Sequence, residues 1–372
     1  MIDWIRAIVH GIHHLIPKRK HAVVYGWPDY EDSIIALEEA LQDTDLVEVI
    51  VLSSAENSAR PWLNGDKTRS VKKNSPLGLW LFLRSRYVFL THPCFVRRFP
   101  KGVISVNIWH GMPIKRIGRM LGDGAVIQSS HLSATSPFWG GIMRRSMRAD
   151  QIIEDCGLPR NDRLFCDRAE ALSKLGLPKD NHFACWLPTY RRSLMGEQRH
   201  DGHDHGNPCQ LPDINLEIFN DFLSENDLTI FIKPHPMTIQ VDSNEWSHLK
   251  IIHDSWLTGH ELTLYETIGA SDILITDISS VMIDYLLADK PIIHAFPDIE
   301  EYRDSRGFSV EPIEDFFAGE VVNNQEELLK ALDMELSGTD PHAKKRRAIR
   351  DLSHVHQDDQ ATQRLLKAID LM

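Results

Sequence analysis

Short apolar runs alternate with segments of helical periodicity along most of the chain. Residues 21–26, 47–52, 87–91 and 103–109 are strand-sized runs rich in Val, Ile and Phe, and residues 31–42 carry apolar side chains at helical intervals. A strand, a helix and a second strand in this order form a βαβ unit, which builds a parallel sheet. The first half of the chain is therefore predicted to be an α/β domain.

The same alternation restarts in the second half of the chain. Further strand-sized runs cover residues 183–187, 228–233, 250–253, 272–276 and 291–296. Helical segments fit between several of them, at residues 262–270 and 281–288. The pattern predicts a second parallel sheet and thus an α/β protein with two Rossmann-like domains that face a cleft.

Polar stretches set the predicted boundaries. The Pro- and Asp-containing stretch 178–182 is predicted to be a linker, and the His- and Gly-rich stretch 193–212 a long loop. The predicted organisation is an N-terminal helix at residues 1–20, a first Rossmann-like domain at 21–177, a second Rossmann-like domain at 178–340 and a C-terminal helical segment at 341–372.

The first 20 residues predict an amphipathic helix. One face carries Ile5, Ile8, Val9, Ile12, Leu15 and Ile16, with Trp4 at its margin, and the other carries Asp3, Arg6, His10, His13 and His14. Pro17 ends the helix, and Lys18-Arg-Lys20 follows. The segment is too short to span a bilayer and lacks the layout of a secretory signal. Two interpretations stay open: a helix lying on an anionic membrane surface, or a helix packed on its own domain.

Composition and charge narrow the picture further. The 372 residues are 42% hydrophobic and 25% charged, as in ordinary globular proteins, and no apolar run reaches 18 residues. The net charge of −12 is uneven, because residues 57–150 contain 16 Lys and Arg but only three acids. This basic segment predicts an anionic acceptor or membrane surface as partner. Five scattered cysteines without a CxxC pair indicate reduced thiols in a cytoplasmic protein.

Three turns that follow predicted strands carry the candidate chemistry, because ligands of open α/β sheets lie at the carboxyl ends of strands. The first holds His110, with Gly111 and Pro113 favouring a tight turn and Lys115-Arg116 beginning a predicted helix. The second, Lys233-Pro-His235-Pro236, holds another histidine.

The third turn, Thr276-Asp277-Ile-Ser279-Ser280, precedes a helix predicted from Val281, where hydroxyls and main-chain N–H groups suit a phosphate. Each turn also has a purely structural interpretation. The histidines could be structural, the serine pair could be a helix N-cap, and Asp277 could cap its own turn.

Other common sites are absent from the sequence. There is no GxGxxG fingerprint, no phosphate-binding P-loop and no Asp-x-Asp motif after a strand. The cluster His200-Asp-Gly-His-Asp-His205 has metal-ligand residue types, but an exposed loop is the simpler interpretation. We therefore expect no cofactor, no essential divalent metal and no nucleic-acid partner.

Several motifs together resemble the CDP-glycerol glycerophosphotransferase family of teichoic-acid-type primases and polymerases. In chain order they are Trp109-His-Gly-Met-Pro-Ile-Lys115, Gly157-Leu-Pro-Arg-Asn-Asp162, Leu187-Pro-Thr-Tyr-Arg191, Lys233-Pro-His235, Thr276-Asp-Ile-Ser-Ser280 with Asp284-Tyr285, and Tyr302-Arg-Asp304 with Arg306-Gly-Phe308. The first is similar to the family's Trp-His-Gly-Thr-Pro-Leu-Lys box. The departures are Met112 in place of Thr, beside the implied base, and the long loop at 193–212.

The resemblance implies a GT-B fold and transfer of phosphoglycerol from CDP-glycerol to a hydroxyl, with release of CMP. It implies His110 as the base, since the pKa of histidine lies near neutrality, with Gly111, Lys115 and Arg116 on the acceptor side. The resemblance implies that the donor phosphates are contacted by His235, Thr276, Ser279, Ser280, Arg303 and Arg306. It implies that the nucleotide or glycerol is contacted by Pro188, Thr189, Asp277 and Asp284.

The expected partners are CDP-glycerol, a lipid-linked or polysaccharide acceptor and the anionic inner face of the cell membrane, where the protein would be peripheral. Three alternatives stay open. They are CDP-ribitol as donor, a GT-B glycosyltransferase for a surface polysaccharide, and a nucleotide-binding scaffold without catalysis. Acceptor, product length and oligomeric state are not predicted.

Overall fold

The structure is a computed structural model, and it describes residues 2–54, 65–122, 126–191, 205–235 and 246–372, with side chains from residue 9 onward. The chain divides into two compact units. The first contains residues 1–113, 117–163 and 353–372, and the second contains residues 114–116 and 164–352.

The first unit is built on a parallel sheet, which has seven strands among the described residues. They are β1 (Arg19–Tyr25), β2 (Glu48–Ser53), β3 (Thr68–Lys72), β4 (Ser85–Leu90), β5 (Ile104–Asn107), β6 (Gln128–Ser133) and β7 (Arg148–Ile153). Their order across the sheet is β3-β2-β1-β4-β5-β6-β7. The order reverses between β1 and β4, which is the topological switch of a Rossmann-like sheet.

Helices cover this sheet and bury its apolar side chains. They are α1 (Ile2–Leu15), α2 (Asp32–Leu41), α3 (Pro76–Arg84), α4 (Pro137–Ser146) and the C-terminal α13 (Ala361–Ala368), with a 3-10 turn at Gly118–Leu121 and another at Pro159–Phe165. Val23, Ile50, Phe82 and Val88 lie in the core between sheet and helices. Each such side chain stabilises the fold by roughly 1.5–3 kcal/mol when fully buried.

The second unit repeats the plan with six parallel strands in its described part. They are β8 (His182–Leu187), β9 (Leu228–Ile232), β10 (Leu249–Ile251), β11 (Ile273–Thr276), β12 (Ile292–Ala295) and β13 (Glu320–Val322), in the order β10-β9-β8-β11-β12-β13. The switch lies between β8 and β11. Trp186, Ile230, Ile275 and Ile293 occupy the core.

The helices of the second unit are mostly short. They are α5 (Arg168–Leu175), α6 (Leu216–Glu225), α7 (Asp254–Gly259), α8 (Leu264–Ala270), α9 (Val281–Tyr285), α10 (Ile299–Ser305), α11 (Gln325–Leu336) and α12 (Ala343–Ser353), with 3-10 turns at Leu286–Ala288 and Ile313–Phe316. The helices predicted at 262–270 and 281–288 correspond to α8 and to α9 with the turn that follows it.

The compact units differ from the predicted domains near residue 178. Helix α5 belongs to the second unit, because the Arg168 guanidinium donates to the Asn181 carbonyl and to Asp272. The chain therefore enters the second unit close to residue 164, ahead of the predicted linker.

The C-terminal segment forms two helices that belong to different units. The Asp162 carboxylate accepts hydrogen bonds from the main-chain N–H groups of Ala361 and Thr362 at 2.7 and 2.9 Å, which caps α13. Gly157 lies against the same helix, where an added Cβ would meet the Ala361 Cβ at 2.8 Å. The Gly157-Leu-Pro-Arg-Asn-Asp162 motif thus anchors the C-terminal helix to the first unit.

Helix α1 forms as predicted, but the division of its faces was partly wrong. His13, predicted on the polar face, is fully buried with its ring near Phe82 and Phe99, whereas Ile12 and Leu15 are 44% and 83% exposed. Burial, aided by Lys18, lowers the pKa of His13 to about 3, so the ring packs as a neutral aromatic group. No helix among the described residues is long and apolar enough to cross a bilayer.

Candidate functional site

His110, His235 and the Thr276–Ser280 turn lie at the carboxyl edges of the two sheets. In the first unit, β4 lies beside the switch and pairs with β5 so that Leu90 is opposite Asn107. In the second unit, β8 and β11 meet at the switch with Leu187 opposite Thr276. Each edge is the place where this fold binds ligands.

His110 lies in a strained turn after β5. Trp109 has φ 62° and Gly111 has φ 121°, and the Trp109 N–H donates to Asn107 Oδ1 at 3.1 Å. A tryptophan in the left-handed region is uncommon, and such strain concentrates at functional sites. The predicted tight turn after this strand is therefore present.

The hydrogen bond of His110 identifies its tautomer. Its Nδ1 lies 3.2 Å from the Thr91 main-chain carbonyl oxygen, which can only accept a hydrogen bond. The Nδ1 atom therefore carries the proton, and the neutral ring has its lone pair on Nε2. This is the form in which an imidazole can take a proton from a hydroxyl.

His92, which our sequence analysis did not select, stacks on His110. The two ring centroids are 4.3 Å apart with an angle of 10° between the planes, and Trp109 lies 4.0 Å from His110. Burial, aided by the charge of Lys73, lowers the pKa of His92 to about 4. Its position directly after β4 meets the strand-end criterion that selected His110, so the sequence did contain the signal.

His235 follows β9 in the second unit. Its ring centroid lies 4.6 Å from that of Tyr190, which follows the neighbouring strand β8. Lys233, in the same turn, is buried with its Nζ 3.0 Å from Asp254 Oδ1. The next residue, Pro236, and the His200–Asp204 part of the His-rich cluster lie outside the described residues.

Thr189 and Asp277 are joined by hydrogen bonds at the switch of the second unit. Asp277 accepts hydrogen bonds from the Thr189 N–H at 2.9 Å, from the Thr189 hydroxyl and from Arg191 Nη1 at 2.7 Å. Burial by itself would raise the pKa of Asp277. The positive charges of Arg191 and Lys115 have the larger effect, so the pKa lies below its usual value. Arg191 also donates to Asp298, so this buried clamp joins three loops.

In the clamp, Asp277 has a structural role, as one of the two interpretations of the sequence allowed. Contact of Asp277 or Thr189 with a ligand stays a prediction, as does that of the neighbouring Pro188, which is buried. Arg191 belongs to a quoted motif, yet only the fold reveals that two acids from distant segments meet it.

The turn after β11 has the predicted layout. The Thr276 hydroxyl donates to the Leu187 carbonyl at 2.7 Å, and the half-buried Ser279 and Ser280 directly precede α9. The main-chain carbonyls of Ser279 and Ser280 accept from the first N–H groups inside the helix. Thr276 is thus used in joining two strands, whereas the serines lie at the edge of the sheet.

Asp284 and Arg303 are poorly placed for the predicted ligand contacts. Asp284 is 0% exposed and accepts a hydrogen bond from the Tyr265 hydroxyl at 2.7 Å. The Arg303 guanidinium is occupied by acids, 2.7 Å from Glu300 and 2.5 Å from Glu314. The structure therefore supports neither a glycerol contact by Asp284 nor a phosphate contact by Arg303.

Lys115 and Arg116 do not begin a helix, contrary to the sequence prediction. They pair with the second unit, since Lys115 forms an antiparallel bridge with Phe308 and the Arg116 N–H donates to the Gly307 carbonyl. Arg306 Nε donates to the Arg116 carbonyl at 3.0 Å. A Cβ added at Gly307, which has φ 70°, would meet Arg116 Nε at 3.1 Å.

Met112, the departure from the family box, is fully buried. It serves as a core side chain of the first unit.

His294 is a second histidine that the sequence analysis did not select. It is fully buried on β12, where Nε2 accepts from the Ala318 N–H at 3.1 Å and Nδ1 lies 3.4 Å from the Asp277 carbonyl oxygen. Burial lowers its pKa to about 4. The neutral ring therefore links β12 to the main chain of the clamp.

The described residues contain no group of three or more His, Cys, Asp or Glu side chains placed to hold a metal ion. The expectation that no cofactor or metal is needed stays a prediction. The geometry instead offers a neutral imidazole in the first unit, and hydroxyl groups with a second imidazole in the second.

Comparisons with known proteins find related chains. The chain is 27% identical over 294 residues to the teichoic acid glycerol-phosphate transferase of Staphylococcus aureus, covering 71% of this chain and 70% of that protein. It is 25% identical over 290 residues to the teichoic acid ribitol-phosphate primase of Bacillus spizizenii, covering 73% and 71% of the two chains.

A solved structure has the same fold. It is a variant of the wall teichoic acid polymerase TagF soaked with CDPG, which matches with a TM-score of 0.74 at 21% identity over 97% of this chain and 92% of that one. The predicted GT-B-like α/β fold is thereby confirmed.

The family model described as CDP-glycerol:poly(glycerophosphate) glycerophosphotransferase matches residues 8–371. The prediction of a glycerophosphotransferase is confirmed by this match. The chain therefore belongs to the CDP-glycerol:poly(glycerophosphate) glycerophosphotransferase family.

Proposed function

We propose that this protein transfers phosphoglycerol from CDP-glycerol to a hydroxyl group of an acceptor, in the synthesis of a teichoic-acid-like polymer. Membership of the family supports the reaction class, and the TagF variant soaked with CDPG supports the donor. The observation that carries the assignment of roles is the bond between His110 Nδ1 and the Thr91 carbonyl, which leaves Nε2 able to accept a proton.

The reaction needs a base and a stabilised leaving group. The acceptor oxygen attacks the phosphorus that bears glycerol, and the bond from this phosphorus to the bridging oxygen breaks, so that CMP leaves with that oxygen. His110 Nε2 takes the hydroxyl proton as the new bond forms. Negative charge that builds up on the bridge requires hydrogen-bond donors on the donor side.

In this proposal the second unit binds the donor. Ser279 and Ser280 supply hydroxyls at the edge of the sheet, and His235 supplies an imidazole two strands away, with β8 between them. The clamp of Asp277 and Arg191 holds the turn that carries the two serines. Arg306 adds positive charge beside Lys115 and Arg116.

The proposal names no metal. A divalent ion could supply the same charge stabilisation as the hydroxyls and His235, so the two mechanisms make different predictions. Addition of EDTA should leave the rate of CMP release within about twofold of that of the untreated protein. A rate that collapses with EDTA and returns with Mg²⁺ would replace the proposed donor side by a metal site.

CDP-ribitol is the second candidate donor. The ribitol-phosphate primase is about as similar to this chain as the glycerol-phosphate transferase is, which favours keeping both donors. A sugar nucleotide, as used by a GT-B glycosyltransferase, and binding without turnover are the remaining alternatives.

One assay separates these functions. The purified protein is incubated with CDP-glycerol, CDP-ribitol or a UDP-sugar and with lipid-linked acceptors, and nucleotide release and product mass are measured. CMP release with addition of one or more phosphoglycerol masses is expected. Release of UDP, addition of phosphoribitol, or binding without turnover would each identify a different one of the alternatives.

The base assignment has its own test. H110A should lower the rate of transfer by about 10²–10⁴-fold, the usual contribution of a general base, while the Kd of CDP-glycerol stays within about twofold. H356A is the matched control, since His356 is an exposed histidine of the same unit. A parallel loss of binding and turnover in H110A would assign His110 to the donor instead.

A peripheral position on the inner face of the membrane is also proposed. The exposed Ile12 and Leu15 of α1, followed by basic residues at 18–20, fit an anionic leaflet. An acceptor held at that surface would explain why a basic first unit and an exposed apolar edge occur together.

A further inference from the structure

We propose that His92 is a positioning residue for His110: its ring face holds the His110 ring in the plane set by Thr91 and stabilises the positive charge that His110 acquires from the acceptor proton. This inference deepens the proposed function and rests on its assignment of His110 as the base.

The sheet register brings the two histidines together. Strands β4 and β5 are parallel neighbours with Leu90 opposite Asn107. His92 follows Leu90 by two residues and His110 follows Asn107 by three, so both lie just beyond the same edge of the sheet. The Ile108 N–H donates to the Leu90 carbonyl at 2.7 Å, which extends the pairing to the point where both turns begin. The stack is therefore built by strands and does not depend on a long loop.

Thr91 holds both rings. Its main-chain carbonyl oxygen lies 3.2 Å from His110 Nδ1, and its side-chain hydroxyl lies 3.0 Å from His92 Nδ1. Thr91 itself is fully buried. With one residue fixing an atom of each ring, the 4.3 Å separation and 10° angle between the rings follow from the main chain.

Burial, together with the charge of Lys73, keeps His92 itself out of proton transfer. Lys73 is buried beside the pair, where it donates to the Gly26 carbonyl at 2.5 Å and to Asp29. Its charge adds to burial in opposing a second positive charge at His92, whose pKa is lowered to about 4. Near neutral pH, His92 therefore presents an uncharged aromatic face.

An uncharged ring at this distance is suited to a neighbour that becomes a cation. An aromatic face attracts a positive charge within about 6 Å of its centroid. The imidazolium formed when the acceptor hydroxyl gives its proton to His110 Nε2 meets that condition. A second titrating histidine would instead repel it, which is why the uncharged state of His92 matters.

A matched pair of substitutions isolates the ring face. H92F and H92L both remove the hydrogen bond to Thr91 and both fill the space, but only H92F keeps an aromatic face. We expect H92F to lower kcat by less than about threefold and H92L by about tenfold or more, with the KM of CDP-glycerol unchanged within about twofold. H92M repeats the test without a ring if H92L does not fold.

The pH profile distinguishes positioning from general packing. Loss of the ring face destabilises protonated His110, so H92L should move the acid limb of kcat/KM to lower pH by about half a unit or more, while H92F leaves it in place. The ¹⁵N spectrum of the His110 ring should show the Nδ1–H tautomer in the wild type. Equal kcat and equal acid limbs in H92F and H92L would overturn the inference.

The outcome stays separate from that of the proposed function. If H110A retains full activity, the base assignment itself fails. If H110A is inactive while H92F and H92L match each other, only the role of His92 fails. In the H110A background, H92L should cause no further loss, because His92 acts through His110.

Discussion

Arg191 and Asp298 form a bidentate ion pair in the interior of the second unit, with Nε and Nη2 of the guanidinium 2.7 and 2.8 Å from the two carboxylate oxygens. The third nitrogen, Nη1, donates to Asp277 at 2.7 Å. The ring faces of Phe296 and Tyr302 lie 5.7 and 5.6 Å from the guanidinium. One cation thus joins the turns that follow β8, β11 and β12.

Removal of the Arg191 side chain should lower the free energy of unfolding. R191A leaves two carboxylates buried without their partner, so we expect the free energy of unfolding to fall by about 3–5 kcal/mol. The control is R303A, because Arg303 also meets several acids but at the surface, where the expected loss is about 0–1 kcal/mol. Denaturant unfolding of both variants measures the difference, and similar losses would contradict a structural clamp.

Acid should destabilise the fold through His294. Its pKa is about 4 in the folded chain and 6.5 when unfolded, so its contribution is complete above pH 6.5 and is lost as the pH falls towards 4. The loss amounts to about 3 kcal/mol at most.

The variant H294F should therefore show a shallower fall of unfolding free energy between pH 6.5 and 4, measured by denaturation at several pH values. Part of the fall remains, because the pKa of His13 and that of His92 are also lowered. The exposed His356 provides the control H356A, whose slope should equal that of the wild type. An unchanged slope in H294F would show that the buried ring takes up its proton without cost.

Gly111 should resist substitution. Its φ of 121° is a conformation that L residues rarely adopt, so G111A should destabilise the turn by about 1–3 kcal/mol and displace His110. We expect a loss of kcat larger than any loss of donor affinity. G141A is the control, because Gly141 is an exposed residue of α4 with open space around it, and alanine favours a helix there. Full activity of G111A would show that the turn tolerates a side chain.

The exposed edge of α1 should bind anionic membranes. I12E combined with L15E replaces apolar contact by repulsion, so co-sedimentation with vesicles of anionic lipid should fall about tenfold or more. V47E alters another exposed apolar residue of the first unit and should leave binding unchanged. If V47E and the double variant lose binding equally, α1 is not the contact.

Much of the fold could be predicted because buried parallel strands leave a local pattern. The nine strands expected from apolar runs all occur, and the helix expected at 31–42 is α2. The strands β3, β6, β7 and β13 were missed, since Gln128–Ser133 and Arg148–Ile153 are largely polar. Such segments are identified as strands only by their hydrogen bonds to a neighbouring strand. Between β5 and β6, for example, the N–H groups of Ser105 and Ser130 each donate to the hydroxyl of the other.

Candidate site residues were predictable where the strand end itself carried the chemistry. His110, His235 and the Ser279-Ser280 pair each follow a strand, as expected. The prediction was weaker for Asp284 and Arg303, whose residue types suit a ligand but whose partners are Tyr265 and surface acids. Tyr265 lies on a different helix from Asp284, so no local pattern indicates their hydrogen bond, whereas the i,i+3 spacing of Glu300 and Arg303 does indicate a surface ion pair.

The apolar runs indicated two parallel sheets, and the motifs indicated the family and the turns that carry the candidate site residues, because burial of a strand and the turn after it are local properties of the chain. Tertiary structure alone decided that Thr91 holds two stacked histidines, that Arg191 meets two acids and that His13 is buried while Leu15 is exposed. These contacts join residues from different strands and helices, and the charge and hydrogen bonds of a side chain depend on whichever groups the fold brings beside it.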